Sequence, residues 1–213
     1  MSRPRLVLVD DHTILAEGLK SLLEPDFDLV GIFADGRDVL AAAPKLQPDV
    51  IVLDISMPSM NGIDAARQLK KLMPTVKILF LTMHPDVSFV REAFRAGACG
   101  YVLKRSAVSE LVSAIQEALK GRFYVSPAIT KDVVDLLLDP SAAPDKPIRS
   151  LTARQREVLQ LVAEGRSLKE IASTLNVSVK TVEFHKYRLM HELGLRTTAE
   201  LTKYAIKHGI VEN

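Results

Sequence analysis

Five short apolar runs, at residues 5–9, 29–33, 50–53, 77–81 and 100–103, alternate with five stretches of helical periodicity, at residues 14–23, 36–46, 62–72, 87–96 and 108–119. The runs are rich in Val, Ile and Leu and bounded by turn residues, as expected of strands buried on both faces. Strict βα alternation calls for parallel strands joined by right-handed crossovers. The expected fold is therefore α/β, a doubly wound five-stranded parallel sheet with helices on both faces. Residues 127–138 read as one more helix. Residues 139–147 then place three prolines, Pro140, Pro144 and Pro147, in nine positions, a linker composition.

Beyond the linker the pattern is purely helical. Thr152 with Gln155 and Thr197 with Glu200 have capping-box spacing, and Ser167 and Ser178 are further N-cap candidates. They delimit four helices, at residues 153–164, 168–175, 179–193 and 198–208, so a second, smaller all-α domain is expected. The implied division is residues 1–125 for the sheet domain, 126–149 for the helix and linker, and 150–213 for the helical domain. Charge divides along the same line. Residues 1–147 carry 17 Lys and Arg against 19 Asp and Glu, and residues 148–213 carry 11 against 7. A net of +4 on the smaller part favours an anionic partner, nucleic acid first.

Other classes fit poorly. The first apolar run is far shorter than the roughly 20 residues that span a bilayer, and no cleavage site follows it, so a cytoplasmic location is expected. Cys99 is the one cysteine, which leaves no intramolecular disulfide and no metal-ligand spacing; it reads as a small packing residue.

In an open parallel sheet, ligands bind beyond the carboxyl ends of the strands, where strand order reverses. Asp10 and Asp11 close the first strand, Asp54 the third, Thr82 the fourth and Lys104 the fifth. Any one of these is more often a solvated turn residue, but four strands ending in groups that bind charge is not a random pattern. Carboxylates sharing a pocket repel unless a cation joins them, and Mg²⁺ (or Mn²⁺) prefers oxygen ligands. Asp11 and Asp54 are expected as direct ligands, with Asp10 acting directly or through water and the Ser56 carbonyl completing the set. A phosphoryl group arriving at Asp54 would meet Lys104 as a counter-charge and Thr82 as a hydroxyl donor, forming an acyl phosphate.

The segments Val7-Leu8-Val9-Asp10-Asp11-His12, Ile51-Val52-Leu53-Asp54-Ile55-Ser56-Met57-Pro58 with Asn61-Gly62, Leu81-Thr82-Met83-His84 and Gly100-Tyr101-Val102-Leu103-Lys104 resemble the signature blocks of bacterial response-regulator receiver domains. The resemblance runs through about residue 121. It implies strand order 2-1-3-4-5, which spacing alone does not give. It also implies Asp54 as phosphoacceptor, Asp10 and Asp11 as metal-binding acids, Thr82 as switch hydroxyl and Lys104 as the phosphate-pairing lysine. Tyr101 matches the family's switch aromatic, which swings inward when the hydroxyl is drawn to phosphate; from the residues alone it is equally a half-buried strand tyrosine. Ser56 and His84 match positions that influence how fast water removes the phosphate. Arg105 stands where many receivers have proline.

Residues 168–193 have the layout of a helix-turn-helix, with Asn176, Val177 and Ser178 in the turn. On the second helix Val179, Val182, Leu189, Met190 and Leu193 form an inward apolar face. Glu183 and Tyr187 are candidates for base edges and Phe184 for a thymine methyl, although Phe184 fits a core position too. Lys180, Thr181, Lys186 and Arg188 are candidates for phosphates. The motifs Leu151-Thr152-Ala153-Arg154-Gln155-Arg156-Glu157, Lys169-Glu170-Ile171-Ala172 and Ser178-Val179-Lys180-Thr181-Val182-Glu183-Phe184-His185 resemble the LuxR-type helix-turn-helix. Together the two resemblances imply a response regulator of the NarL/FixJ class: a transcription factor phosphorylated by a sensor histidine kinase, binding double-stranded promoter DNA, forming homodimers on phosphorylation or on DNA, and offering RNA polymerase as a further partner.

Two other readings stay open at this stage. One makes Asp54 the covalent nucleophile of a phosphatase or phosphotransferase, against which Ser56 stands where haloacid-dehalogenase-type enzymes carry a second acid. The other keeps the DNA-binding domain and makes the sheet domain a phosphate-independent dimerisation scaffold.

Overall fold

The computed structural model describes residues 3–138 and 151–211, so the expected proline-rich linker lies outside the described residues. The chain divides into two compact units, one carrying the sheet and one carrying the last four helices.

In the first unit β1 (Arg5–Val9), α1 (Thr13–Leu23), β2 (Asp28–Phe33), α2 (Gly36–Leu46), β3 (Val50–Leu53), α3 (Gly62–Leu72), β4 (Lys77–Thr82), α4 (Val87–Arg95), β5 (Gly100–Leu103) and α5 (Ala107–Leu119) follow in the expected order. A 3₁₀ turn (Lys104–Ser106) separates β5 from α5, and β6 (Tyr124–Val125) and α6 (Pro127–Leu138) end the unit. The sheet order is β2-β1-β3-β4-β5-β6, all parallel. Order 2-1-3-4-5 is present as expected, but the sheet has six strands, not five. Gly100 pairs with Tyr124 and Tyr101 with Val125, an extension only two residues long.

The apolar runs become the core because both faces of the sheet are covered. Leu6, Leu8, Val50, Val52, Leu79 and Leu81 pack with Ala16, Leu19 and Leu23 of α1 and Leu111 and Ile115 of α5. The alternate residues Val7, Val9, Ile51, Leu53, Ile78 and Phe80 are equally buried, on the face where α2, α3 and α4 lie side by side. Cys99 fills a half-buried position and donates its Sγ–H to the Ile78 carbonyl, consistent with a packing role.

The second unit comprises α7 (Ala153–Ala163), α8 (Leu168–Thr174), α9 (Val179–Leu193) and α10 (Thr198–Lys207). Thr152, Ser167 and Thr197 each form a complete capping box, and Ser178 accepts from the Thr181 amide. Each such cap stabilises its helix by about 1 kcal/mol. The core includes Val158, Leu161, Ile171, Val182, Leu189, Leu201 and Ala205. Val182 and Leu189 face inward as expected, with Met190 and Leu193 packed against them. Val179 is a correction: at the first turn of α9 it remains 37% exposed, because the helix start projects past the core. Among the described residues, no helix is long and apolar enough to cross a membrane.

Gly62 shows how closely the sheet and the loop after β3 approach. Its amide donates to the Ile55 carbonyl, and a Cβ there would lie 1.9 Å from the backbone oxygen of Asp54. That position is backbone, so no side chain can yield. Gly62→Ala is expected to destabilise the first unit by about 1–3 kcal/mol in denaturant titration and to shift the Asp54 amide resonance.

Candidate functional site

Topology gathers the polar strand ends. β1 and β3 are neighbours that feed crossovers on opposite sides of the sheet, and their last residues, Val9 and Leu53, are paired. Asp10 and Asp54 therefore emerge side by side at the switch point; the Asp54 amide donates to Val9 O and the Asp10 amide to Phe33 O. Both acids are 2% exposed. Lys104 arrives from the end of β5 and places Nζ 2.7 Å from Asp54 Oδ2 and 2.9 Å from Asp10 Oδ2. Asp11 and His12 lie at the rim, so that one ligand atom from each of Asp10, Asp11, His12 and Asp54 falls within 4.8 Å of the others.

This donor set suits a hard divalent cation. Three carboxylates converge, and the buried Asp10 Oδ2 is met by the Lys104 ammonium at 2.9 Å, so the oxygens already gather around one positive charge. Asp54 Oδ1 accepts from the Ile55 amide at 2.7 Å, which leaves Oδ2 facing Lys104.

Burial works against both charges of the central pair. It pushes the Asp54 carboxyl up from 3.8 to about 6, outweighing the opposing pull of Lys104. For Lys104 burial alone would lower the ammonium, but Asp54 and Asp10 together hold it above its ordinary value. The lysine keeps two carboxylates as partners and remains charged, so Asp54 carries the strain of the arrangement.

Thr82 and Tyr101 sit one layer back. Thr82 ends β4 fully buried, and its Oγ1 accepts from the His84 amide at 3.2 Å. Tyr101 is wholly buried rather than half-buried; its hydroxyl donates to the His84 carbonyl at 2.8 Å and also meets Thr82. The His84 ring stacks on Phe89 with centroids 4.2 Å apart, and its Nε2 lies 2.8 Å from Ser56 Oγ. Ser56 and His84 thus form a linked wall beside Asp54.

A brace at the base of Lys104 was not visible in the sequence. The Leu103 amide donates to Ser126 Oγ, and that hydroxyl donates to Glu110 Oε2. Ser126 follows the short β6, and only the pairing of that strand brings it to the end of β5.

On α9 the expected nucleic-acid face is open. Phe184 and Tyr187 are 57% and 72% exposed, which removes Phe184 from the core. Lys180, Glu183 and Arg188 are exposed alongside them, and Thr181 and Lys186 are half-buried. Lys186 Nζ donates to Thr198 Oγ1, and Arg188 pairs with Glu192 at 3.2 Å. The Arg188–Glu192 pair is largely exposed, and such pairs contribute little to stability.

Comparison with known proteins agrees with both units. Residues 6–116 match the response regulator receiver domain, and residues 149–205 match the bacterial regulatory proteins of the luxR family. The oxygen regulatory protein NreC of Staphylococcus carnosus is 35% identical over 98% of this chain and 99% of its own. This chain is a response regulator of the NarL/FixJ class. Among solved structures, a LuxR-family two-component response regulator from Aurantimonas sp. SI85-9A1 aligns with TM-score 0.62 and 37% identity, covering 65% of this chain and 100% of that one. RcsB from Salmonella enterica serovar Typhimurium, bound to a promoter in the presence of phosphomimetic BeF3⁻, aligns with TM-score 0.63 and 31% identity over 95% of this chain and 98% of its own. Receiver and LuxR-type DNA-binding domains in one regulator are what the sequence implied.

The buried Asp54 charge has a measurable consequence. The unfolded chain titrates near 3.8 and the folded protein near 6, so the folded state holds the proton to higher pH. Below 3.8 both states are protonated and the group contributes nothing; as pH rises to about 6 stability falls, and the cost is complete above it. In metal-free buffer, wild type is expected to lose this stability over that window and Asp54→Asn is not. NMR titration of the Asp54 carboxyl carbon should give a midpoint near 6, lowered when Mg²⁺ is added.

Proposed function

We propose that Asp54 accepts a phosphoryl group from a sensor histidine kinase, and that this modification controls dimerisation and sequence-specific DNA binding through α9. The observation that carries the reading is the buried Asp54 carboxylate at the sheet's switch point with the Lys104 ammonium 2.7 Å away. Asp54 Oδ2 forms the new P–O bond as the bond from phosphorus to the kinase histidine nitrogen breaks. Lys104 then pairs with a phosphoryl oxygen in place of the carboxylate, and Thr82 turns its hydroxyl from the His84 amide to another. Tyr101, already packed against Thr82, holds the vacated space closed. Asp10, Asp11 and Asp54, with the Ser56 carbonyl, hold Mg²⁺, which when bound supplies charge neutralisation for the incoming phosphoryl group.

The protein acts only on itself. Transfer to Asp54 and hydrolysis from it are its whole catalytic repertoire, in a cytoplasmic regulator. Ser56 supplies no second acid for turnover on an outside ester, and its hydroxyl is engaged by His84. Glu183, Phe184 and Tyr187 read base edges, while Lys180, Thr181, Lys186 and Arg188 hold phosphates. RNA polymerase is the partner through which a bound dimer acts on transcription.

Wild type treated with a small-molecule phosphodonor and Mg²⁺ is expected to bind its promoter DNA at least about tenfold more tightly than Asp54→Asn treated identically. Such a gain needs phosphate to favour the binding-competent state by about 1.4 kcal/mol. Equal affinities in a gel-shift titration would leave the sheet unit as a phosphate-independent scaffold. Sustained release of phosphate from a small phosphoester would favour an enzyme instead. Replacing Lys186 with Ala should weaken binding to all sequences alike and flatten the salt dependence by about one ion, whereas Glu183→Ala should relax preference at individual base pairs.

A further inference from the structure

His12 has no part in the phosphoryl chemistry above, yet it turns toward the carboxylates. It stands at the N-cap of α1 but makes no side-chain bond to the helix amides. Its Nδ1 lies 3.1 Å from Asp10 Oδ1 and 3.0 Å from Asp11 Oδ1. It is also 3.3 Å from Lys104 Nζ.

Asp10, Asp54 and His12 already surround a cation, because the Lys104 ammonium sits against all three. An ammonium can only donate, so toward it Nδ1 presents a lone pair, the same lone pair that a metal ion uses. Toward Asp10 and Asp11, in contrast, Nδ1 serves as an N–H. A divalent ion placed among the carboxylates selects the first arrangement, since it turns a lone pair facing two anions from a repulsion into a bond. The buried Asp10 Oδ2 lies 2.9 Å from the same ammonium, and one ligand atom from each of Asp10, Asp11, His12 and Asp54 falls within 4.8 Å of the others.

We propose that His12 Nδ1 is a ligand of the cation site formed by Asp10, Asp11 and Asp54, and that it biases the site from Mg²⁺ toward first-row transition cations. Three carboxylates alone suit Mg²⁺, whereas an imidazole nitrogen is a poor Mg²⁺ donor and a good one for Ni²⁺, Zn²⁺ or Fe²⁺. The inference rests on the reading of these acids as a cation site. It goes further in making metal identity, and not only metal presence, a property of the chain.

The test uses the full-length protein and the metals alone. Mn²⁺ bound to wild type is expected to show ¹⁴N modulation in pulsed electron paramagnetic resonance, and His12→Gln is expected to bind Mn²⁺ without it. By calorimetry the ratio of Ni²⁺ to Mg²⁺ affinity should drop by about tenfold or more in His12→Gln, the scale on which one partner at a metal counts. Circular dichroism of the variant should match wild type, because the His12 side chain is more than half exposed. Saturable Mn²⁺ binding without nitrogen modulation, modulation that persists in His12→Gln, or an unchanged affinity ratio would each overturn the role of His12. Failure of Mn²⁺ and Mg²⁺ to bind wild type at all would remove the cation site itself, a result distinct from the other three.

Discussion

The ammonium of Lys104 and the carboxylate of Asp54 meet 2.7 Å apart, with side chains 6% and 2% exposed, at the carboxyl end of a parallel sheet. A buried pair of this kind is a weak source of stability, because removing two charges from water costs as much as their attraction returns. Here burial prevails at Asp54, whose proton leaves only near pH 6. The site therefore stores unfavourable charge where a cation or a phosphoryl group would relieve it. The loop after β3, the close approach of Gly62 and the Ser126–Glu110 brace all fix the two strand ends that carry this pair.

The output unit is built from different physics. Its helices are short, and each begins at a hydroxyl that satisfies free amides, three of them through full capping boxes. Its core is a separate cluster of Leu, Ile and Val, and the exposed Phe184 and Tyr187 are left out of it. These two aromatics lie in water on the same helix as Lys180, Lys186 and Arg188, the face proposed above to meet DNA. The full-length resemblance to NreC and the likeness to RcsB fit the pairing of a receiver sheet with a LuxR-type helical unit.

Much of this was legible in the sequence because the decisive signals are local. A buried strand announces itself as an apolar run, and the polar residue that ends it marks the site; Asp10, Asp54, Thr82 and Lys104 were found in that way. Helix starts at Thr152, Ser167, Ser178 and Thr197 follow from capping chemistry within four residues, and the structure places all four as read. What escaped depends on contacts distant in sequence or on rotamers. Two residues of β6 have no periodicity to detect, and the Ser126 brace exists only once that strand pairs with β5. The inward turn of His12 is a rotamer choice made among Asp10, Asp11 and Lys104, and no spacing encodes it. Val179 followed the apolar pattern of α9 yet stays partly in water, because periodicity ignores where a helix outruns its core.

The central claim is that Asp54 receives phosphate as an acyl phosphate. Borohydride reduction of phosphodonor-treated protein converts an aspartyl phosphate to homoserine, which peptide mass spectrometry locates. The account predicts homoserine at position 54, dependent on Mg²⁺, with none formed in Asp54→Asn. Homoserine at another aspartate of the wild-type protein, or phosphate incorporation undiminished in Asp54→Asn, would contradict it.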